Sequence, residues 1–110
     1  MGELVEIYVK NKSTYSGDGE YIGRGSPLGN PYKITDVTPR HVAINEYEIW
    51  IKDCICKNFK SILDELERLF NILIKNQKLI LICHCSPKLC HGNIIKQLLI
   101  NKYYHGSWLL

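Results

Sequence analysis

Residues 79–93, with the sequence LILICHCSPKLCHGN, decide the fold of this chain. The first four form an unbroken apolar run, which is typical of a strand covered on both faces, and we predict the central strand there. A polar turn rich in cysteine and histidine follows, and an apolar helical pattern begins at Ile94. In open α/β sheets, ligands bind beyond the carboxyl end of a strand, where a helix start offers N–H groups to an anion. The stretch therefore predicts a ligand-facing unit of strand, turn and helix.

Periodicity on either side of this stretch predicts the remaining elements. They are a strand at residues 4–9, a short strand at Tyr21 and Ile22, a helix opening at Pro39, an amphipathic helix over residues 59–73, and a last helix ending near Lys102. The order β-β-α-α-β-α predicts a single small α/β domain over residues 1–110. In it, helices cover a short sheet and the core spans residues 4–101.

The composition is that of one globular domain. The 110 residues are 45% hydrophobic and 23% charged, which is the ordinary balance of a folded soluble protein and argues against disorder. The net charge is +3, but no Asp or Glu follows Glu67, whereas six Lys or Arg residues do. This second half favours an anionic ligand, although a solvated lysine surface gives the same pattern.

Cysteine usage and the lack of long apolar runs indicate a cytoplasmic protein. Five cysteines, an odd number, lie in two tight groups, which suits reduced thiols or a metal better than a disulfide framework. Glu3 and Glu6 interrupt the N-terminus, so it does not resemble a signal peptide. No apolar run approaches the roughly 20 residues that span a bilayer. We therefore expect a cytoplasmic location and no membrane partner.

The first candidate site is the segment of residues 23–32, GRGSPLGNPY, which we call the glycine loop. Its glycines permit positive φ angles and close approach of backbone to a ligand, and successive amides can form an anion-binding nest. Arg24 is the donor best matched to a phosphate, and the Asn30 amide can bind a base edge or ribose. A structural turn with an exposed arginine is the alternative, since neither G-x-G-x-x-G nor a Walker loop is present. The candidate ligand-binding residues of this loop are Gly23, Arg24, Gly25, Ser26, Gly29, Asn30 and Tyr32.

Residues 83–92, which we call the Cys/His turn, admit three interpretations. Cysteine and histidine supply zinc ligands, but the C-x-C spacing followed by C-H is not that of paired C-x-x-C knuckles. The second interpretation is a thiolate nucleophile at a strand-to-helix turn. Phosphatases of that design need an arginine six residues after the cysteine, where this chain has His91 after Cys85 and Leu89 after Cys83. That mechanism is therefore disfavoured.

We favour the third interpretation, a packed turn that faces a ligand. Cys83 ends the buried strand as a small apolar residue, while imidazole and helix N–H groups are offered to the ligand. Tyr47, on the predicted helix after Pro39, is added as an aromatic for base or ribose. The candidate ligand-binding residues outside the glycine loop are Tyr47, His84, Cys85, Cys90, His91 and Gly92. No catalytic residue and no metal ligand is assigned.

The two motifs together, residues 21–32 (YIGRGSPLGNPY) and residues 83–92 (CHCSPKLCHG), resemble a known family. The chain is similar to the domain-of-unknown-function family 4326 (DUF4326), small phage and bacterial proteins with a GRG…GNP loop and a later C-x-C-x-P…CHG turn. The resemblance covers roughly residues 4–101. It implies a compact Rossmann-like α/β domain and a phage setting, in which the cytoplasm is that of the host. It implies no settled activity.

The leading functional hypothesis is a non-enzymatic binder of a nucleotide-derived anion, with the two motifs as walls of one pocket. Arg24 and the helix amides near His91 hold phosphate, and Asn30 with a nearby tyrosine holds base or ribose. Small phage proteins can sequester nucleotide second messengers of host immunity, such as cyclic ADP-ribose derivatives, and by analogy the chain is expected to act as a sponge. Two alternatives stay open: a small Cys/His-dependent enzyme acting on a nucleotide or ADP-ribosyl substrate, and a zinc-stabilised interaction module.

The expected partners follow from the same features. We expect a nucleotide-derived small molecule and no cofactor. Nucleic acid is not expected, because no stripe of interleaved basic and aromatic residues runs along the chain. The C-terminal tail, residues 103–110 (YYHGSWLL), is apolar and has to be covered by its own domain or by a second copy. We expect a homo-oligomer formed through this tail.

Overall fold

The computed structural model describes residues 4–32, 39–84 and 90–109, which form three strands and three helices. The elements are β1 (Glu6–Asn11), β2 (Glu20–Tyr21), α1 (Arg40–Cys56), α2 (Lys60–Asn76), β3 (Lys78–Cys83) and α3 (His91–His105). Their order along the chain is the predicted one, with the bounds of β1 and β2 displaced by one or two residues. The chain is thus a small α/β domain with a three-stranded parallel sheet and three helices.

Strand β3 is the central strand, as predicted. The strand order is β1-β3-β2, and both pairs are parallel. Asn11 lies opposite Cys83 and Tyr21 lies opposite Ile82, so all three strands end at the same edge of the sheet. The glycine loop leaves this edge after β2, and the Cys/His turn leaves it after β3. The two motifs therefore follow neighbouring parallel strands.

The two faces of the sheet differ in how they are covered. The first face is buried through Ile7, Leu79, Leu81 and Cys83. On the second face, Ile80 and Ile82 are only half-buried. The prediction that both faces of the apolar run are covered is wrong, because the helices pack on the first face. Glu20, which lies opposite Leu81, accepts a hydrogen bond there from Arg68 of α2 at 2.6 Å.

Helix α2 shows how closely helical periodicity predicts the packing. Its buried residues are Ile62, Leu66, Leu69 and Leu73, at spacings of four, three and four. Phe59 was predicted on the same stripe, but it is the N-cap residue and is half exposed, because it precedes the helix. None of the helices within the described ranges is long and apolar enough to cross a membrane.

The C-terminal tail packs on its own domain. Helix α3 continues to His105, past the predicted end near Lys102, and Gly106 closes it with a φ of +77°. Trp108 is 7% exposed, its ring lies 5.7 Å from that of Phe70, and its carbonyl accepts from the Asn101 amide at 3.1 Å. Trp108, the largest side chain of the tail, is thus covered within one chain. Tyr104 of the same tail is 45% exposed, and a homo-oligomer through this tail stays a prediction.

Candidate functional site

The glycine loop is closed by its own backbone. The Gly23 carbonyl accepts from the N–H and the hydroxyl of Ser26, at 3.1 and 2.8 Å, and the Ser26 carbonyl accepts from the Gly29 N–H at 3.0 Å. Gly25 has a φ of +92°, and a Cβ on Gly29 would lie 2.5 Å from the Gly23 carbonyl oxygen. The positive φ angle that we expected thus occurs at Gly25, and the close backbone approach occurs at Gly29. At Gly29, however, the neighbouring backbone is that of the loop itself and not a ligand.

Tyr47 fastens the glycine loop to α1. Its hydroxyl donates to the Leu28 carbonyl at 2.8 Å, and both side chains are fully buried. Burial raises the pKa of the Tyr47 hydroxyl, so it stays protonated and remains a donor. We predicted Tyr47 as a ligand-facing aromatic, and the structure places it beneath the loop instead. Its effect on a ligand would be exerted through the loop that it holds.

His91, the first residue of α3, joins the two motifs. The residue is 6% exposed, and its Nε2 lies 2.6 Å from the carbonyl oxygen of Ile22, which is 69 positions earlier in the chain. A carbonyl can only accept, so Nε2 carries the hydrogen. The ring also meets the Tyr47 ring edge to face, at 5.1 Å between centroids. The start of α3 is therefore tied to the residue that precedes the glycine loop.

The environment of His91 keeps the ring neutral. Burial is the largest influence and lowers its pKa, while the Ile22 carbonyl and Cys83 act in the opposite direction. The positive charge of Arg24 is a smaller influence that also lowers the pKa of His91. His91 thus serves as a neutral hydrogen-bond donor to the backbone.

A pH dependence of stability follows from the lowered pKa of His91. Above the ordinary histidine pKa of about 6.5, the ring is neutral in both the folded and unfolded chain. Below it, the unfolded chain takes up a proton that the folded chain resists, so the free energy of unfolding should fall as the pH decreases from about 6.5. We expect His91→Gln to weaken this dependence in denaturation curves measured from pH 7.5 to 5. His41→Gln, at an exposed position on α1, is the control, and an equal flattening in both variants would contradict the assignment.

Cys83, Cys90 and Gly92 of the Cys/His turn pack at the start of α3. Cys90 is the N-cap residue, and its sulfur accepts from the Gly92 N–H at 3.3 Å. The same sulfur lies 3.3 Å from that of Cys83, and both cysteines are buried. A Cβ on Gly92 would lie 2.9 Å from Val9 Cγ1, so the helix start presses directly on β1. Packing is therefore the visible role of Cys90 and Gly92.

Arg24 and Asn30 are the predicted polar groups that reach the surface of the glycine loop. Arg24 is exposed, and within residues 4–32, 39–84 and 90–109 its guanidinium makes no ion pair. The Asn30 side-chain oxygen accepts from the Tyr32 N–H at 2.8 Å, which leaves its NH₂ group for other contacts. Tyr32 is half-buried against the core. The outward-facing charge of the loop is thus positive.

Two predicted site residues do not join this group. His84 is exposed, and its ring meets that of Tyr21 at 5.8 Å on the second face of the sheet. Because side chains alternate along a strand, Cys83 points to the first face and His84 to the second. Cys85 lies outside the described residues. The structure therefore brings the glycine loop together with Cys90, His91 and Gly92, but not with His84.

Two anchors of the site were missed in the sequence. The carbonyl groups of Ile22 and Leu28 receive the hydrogen bonds of His91 and Tyr47, and both residues are fully buried. Leu28 is the only large apolar residue between Gly23 and Asn30, which is the one signal that the loop is anchored to a core. The Ile22 carbonyl is a backbone group and leaves no signal in the sequence.

The described part of the two motifs holds no metal-binding cluster, and two surface clefts are lined by other residues. Among the described residues, no three His, Cys, Asp or Glu side chains are grouped so as to hold a metal ion. A surface cleft of about 390 Å³ is lined by residues 5–8 of β1 and by Lys96, Ile100 and Tyr104 of α3. A second cleft, of about 290 Å³, lies beside the amino end of β3. Neither cleft is lined by Arg24 or His91.

Comparison with known proteins gives one match. A family model described as "Domain of unknown function (DUF4326)" matches residues 5–101. No curated protein and no solved structure is similar enough to match. The matched region contains the glycine loop, the Cys/His turn and every strand of the sheet.

Proposed function

We propose that this chain, which belongs to the DUF4326 family, binds a nucleotide-derived anion. The binding surface is formed by the glycine loop and the first turn of α3, and we call it the loop–helix surface. The observation that carries the proposal is the 2.6 Å contact between His91 Nε2 and the Ile22 carbonyl, which holds the two motifs side by side. Their convergence makes a joint ligand site possible.

The charges at this surface suit a phosphate. Arg24 is exposed and has no ion pair among the described residues, so its guanidinium is available for a bidentate contact. The first turn of α3 contains no acidic residue, and its amino end carries the positive end of the helix dipole. The neutral His91 ring adds no charge. Phosphate is therefore held by Arg24 and the helix start, and the Asn30 NH₂ group meets the base or ribose.

The position of the surface in the sheet supports the same ligand class. The glycine loop and the Cys/His turn follow the carboxyl ends of β2 and β3, which are neighbouring parallel strands. Rossmann-like α/β folds bind nucleotides at this edge. A Rossmann-like arrangement of the sheet is thus part of the proposal.

Binding without turnover fits the groups at hand. The thiols of Cys83 and Cys90 are buried, and the Nε2 hydrogen of His91 is committed to a backbone carbonyl. None of these three groups is placed to attack a ligand that arrives from solvent. In a cytoplasmic phage setting, such a protein acts as a sponge for a nucleotide immune signal, with cyclic ADP-ribose isomers as the first candidates.

Ligand recovery tests the proposal. The purified protein is incubated with cyclic ADP-ribose isomers and with cyclic dinucleotides, separated from unbound ligand, and denatured by heat. We expect one of these nucleotides to be released intact in stoichiometric amount, as measured by chromatography and mass spectrometry. A chemically altered product would identify an enzyme, and failure to retain any of these nucleotides would overturn the proposal.

Arg24 provides the test by mutation. We expect Arg24→Ala to lower the affinity for the retained ligand about 10- to 100-fold, as measured by isothermal titration calorimetry. The reason is that a charged hydrogen bond contributes about 1.5–3 kcal/mol. Lys52→Ala is the control, because Lys52 is exposed on α1 and pairs with Glu48. Equal affinities of the Arg24→Ala and Lys52→Ala proteins would show that Arg24 does not contact the ligand.

A further inference from the structure

The second face of the sheet carries a mixed aromatic and basic surface, which we call the open face. It is formed by alternate residues of the three strands and of their extensions, namely Glu6, Tyr8, Lys10, Lys12, Tyr21, Lys78, Ile80, Ile82 and His84. The register puts Tyr8 beside Ile80, and both Lys10 and Tyr21 beside Ile82. The described helices pack on the other face. These side chains are therefore presented together at the surface.

We propose that the open face binds single-stranded nucleic acid, at a site that borders the glycine loop where the Tyr21 ring lies against Gly23. Single strands are recognised where exposed rings stack on bases and nearby cations bind phosphates, and the face of a β-sheet is a recurrent platform for this. The open face offers three aromatic rings and three lysines. It therefore has both kinds of group that this recognition requires.

Rings and cations alternate across the open face rather than forming separate patches. Lys10 Nζ and Lys78 Nζ lie 5.4 and 5.8 Å from the centre of the Tyr8 ring. Lys12 Nζ lies 4.6 Å from the centre of the Tyr21 ring, which also meets the His84 ring at 5.8 Å. Each tyrosine ring thus has a lysine ammonium group over it. A base that stacks on the ring displaces this flexible side chain, whose ammonium group can then bind the adjacent phosphate.

The spacing of the two tyrosines suits an extended strand. Tyr8 and Tyr21 lie on the two edge strands, separated by two strand spacings of about 4.8 Å and offset by two residues, about 7 Å, along the strands. The half-buried Ile80 and Ile82 form an apolar floor between them. The cleft of about 390 Å³ opens beside Tyr8 and is lined on its far side by Lys96 and Tyr104. The platform therefore has room for several nucleotides.

The balance of charge on the open face is positive. Its one carboxylate, Glu6, accepts from the Tyr8 hydroxyl at 2.6 Å and lies opposite Lys78. Asp18 borders the face at the second cleft. Three lysines against Glu6 leave an excess of two positive charges, which complements a phosphate backbone.

The fold explains why this surface is invisible along the chain. Its residues come from three segments, 6–12, 21 and 78–84, and the glycine loop, α1 and α2 separate the last two. Because no contiguous stripe of basic and aromatic residues runs along the sequence, the sequence alone does not predict nucleic-acid binding. Parallel pairing of β1 and β2 with β3 assembles the stripe in space.

Fluorescence anisotropy with labelled oligothymidylate and oligouridylate at low salt tests the proposal. We expect both probes to bind more tightly than a DNA duplex of equal length, because stacking needs unpaired bases. Tyr8→Ala and Tyr21→Ala should each weaken binding about 5- to 100-fold. Lys10→Ala should reduce the slope of log K against log salt by about 0.7. Glu6→Gln should strengthen binding, since it removes the one carboxylate of the face.

The controls use matched residues on helix surfaces. Lys60→Ala replaces a lysine that pairs with Asp64 at the start of α2, and Phe59→Ala replaces the exposed ring before it. Absence of binding to both probes, binding to duplex as tight as to single strands, or equal losses in the control variants would each overturn the proposal. If Tyr8→Ala does not fold by circular dichroism, Lys10→Glu decides, since charge reversal at an exposed strand position leaves the core intact. The ratio of the two affinities then tells whether RNA or DNA is the preferred strand.

Discussion

Replacement of Tyr47 by alanine is expected to lower the free energy of unfolding by about 4 kcal/mol, a large part of the 5–15 kcal/mol that stabilises a typical domain. The Tyr47 ring is fully buried and lies 5.6 Å from that of Trp50 and 5.1 Å from that of His91. Its loss leaves a cavity between α1 and α3, and the Leu28 carbonyl loses the hydrogen bond from the Tyr47 hydroxyl. Urea denaturation followed by far-UV circular dichroism measures the effect.

Tyr47→Phe separates the ring from the hydroxyl. This variant keeps the packing and loses the 2.8 Å hydrogen bond to Leu28, so we expect a cost of about 1–2 kcal/mol. The glycine loop should become more mobile in Tyr47→Phe while the domain stays folded. If alanine and phenylalanine cost the same, the ring is not packed between the helices, and the description of Tyr47 as an anchor fails.

Periodicity predicted those parts of the fold that depend on a single segment. The stripe of Ile62, Leu66, Leu69 and Leu73 has helical spacing and is buried as expected. The apolar run before Cys83 was predicted as the central strand, and it is. Its second face could not be predicted, because a continuous apolar run does not tell whether both faces are covered. Ile80 and Ile82 are apolar yet remain half-exposed.

The convergence of the two motifs was predictable from topology, but the roles of their residues were not. Parallel strands end at one edge of a sheet, which is why segments after β2 and β3 meet. Whether a histidine or tyrosine faces a ligand or the core depends on the backbone carbonyls around it. His91 and Tyr47 donate hydrogen bonds to the buried carbonyl groups of Ile22 and Leu28, so both side chains face the interior. Arg24 found no ion pair among the described residues and stays at the surface.

The apolar tail shows the same limit. Its composition requires burial, but cannot say whether its own chain or a second copy provides the cover. The Gly106 cap turns the chain back, and the Asn101 side chain then holds the Trp108 carbonyl. For Trp108, the helix ending at Gly106 and the Asn101 amide place the residue against its own domain.

Gly29→Ala is the second change for which we expect a large effect, on the stability of the glycine loop and on ligand binding together. A Cβ at this position would lie 2.5 Å from the Gly23 oxygen, 3.0 Å from the Gly23 carbonyl carbon and 3.1 Å from Arg24 Cα. All three are backbone atoms, so no side-chain rotation relieves the clash and the loop has to open. We expect a loss of about 3 kcal/mol in the free energy of unfolding. Under the proposed function, the ligand affinity falls at least tenfold, because the backbone that carries Arg24 moves.

Gly25→Ala is the matched control within the same loop. Its Cβ would meet nothing within 4 Å, so the φ of +92° is its only source of strain, at about 1 kcal/mol. Denaturation curves and titration calorimetry on the two variants separate steric closure of the loop from backbone strain. A Gly29→Ala protein no less stable than Gly25→Ala would mean that the two ends of the loop are not in contact. Arg24 would then be carried by an open loop.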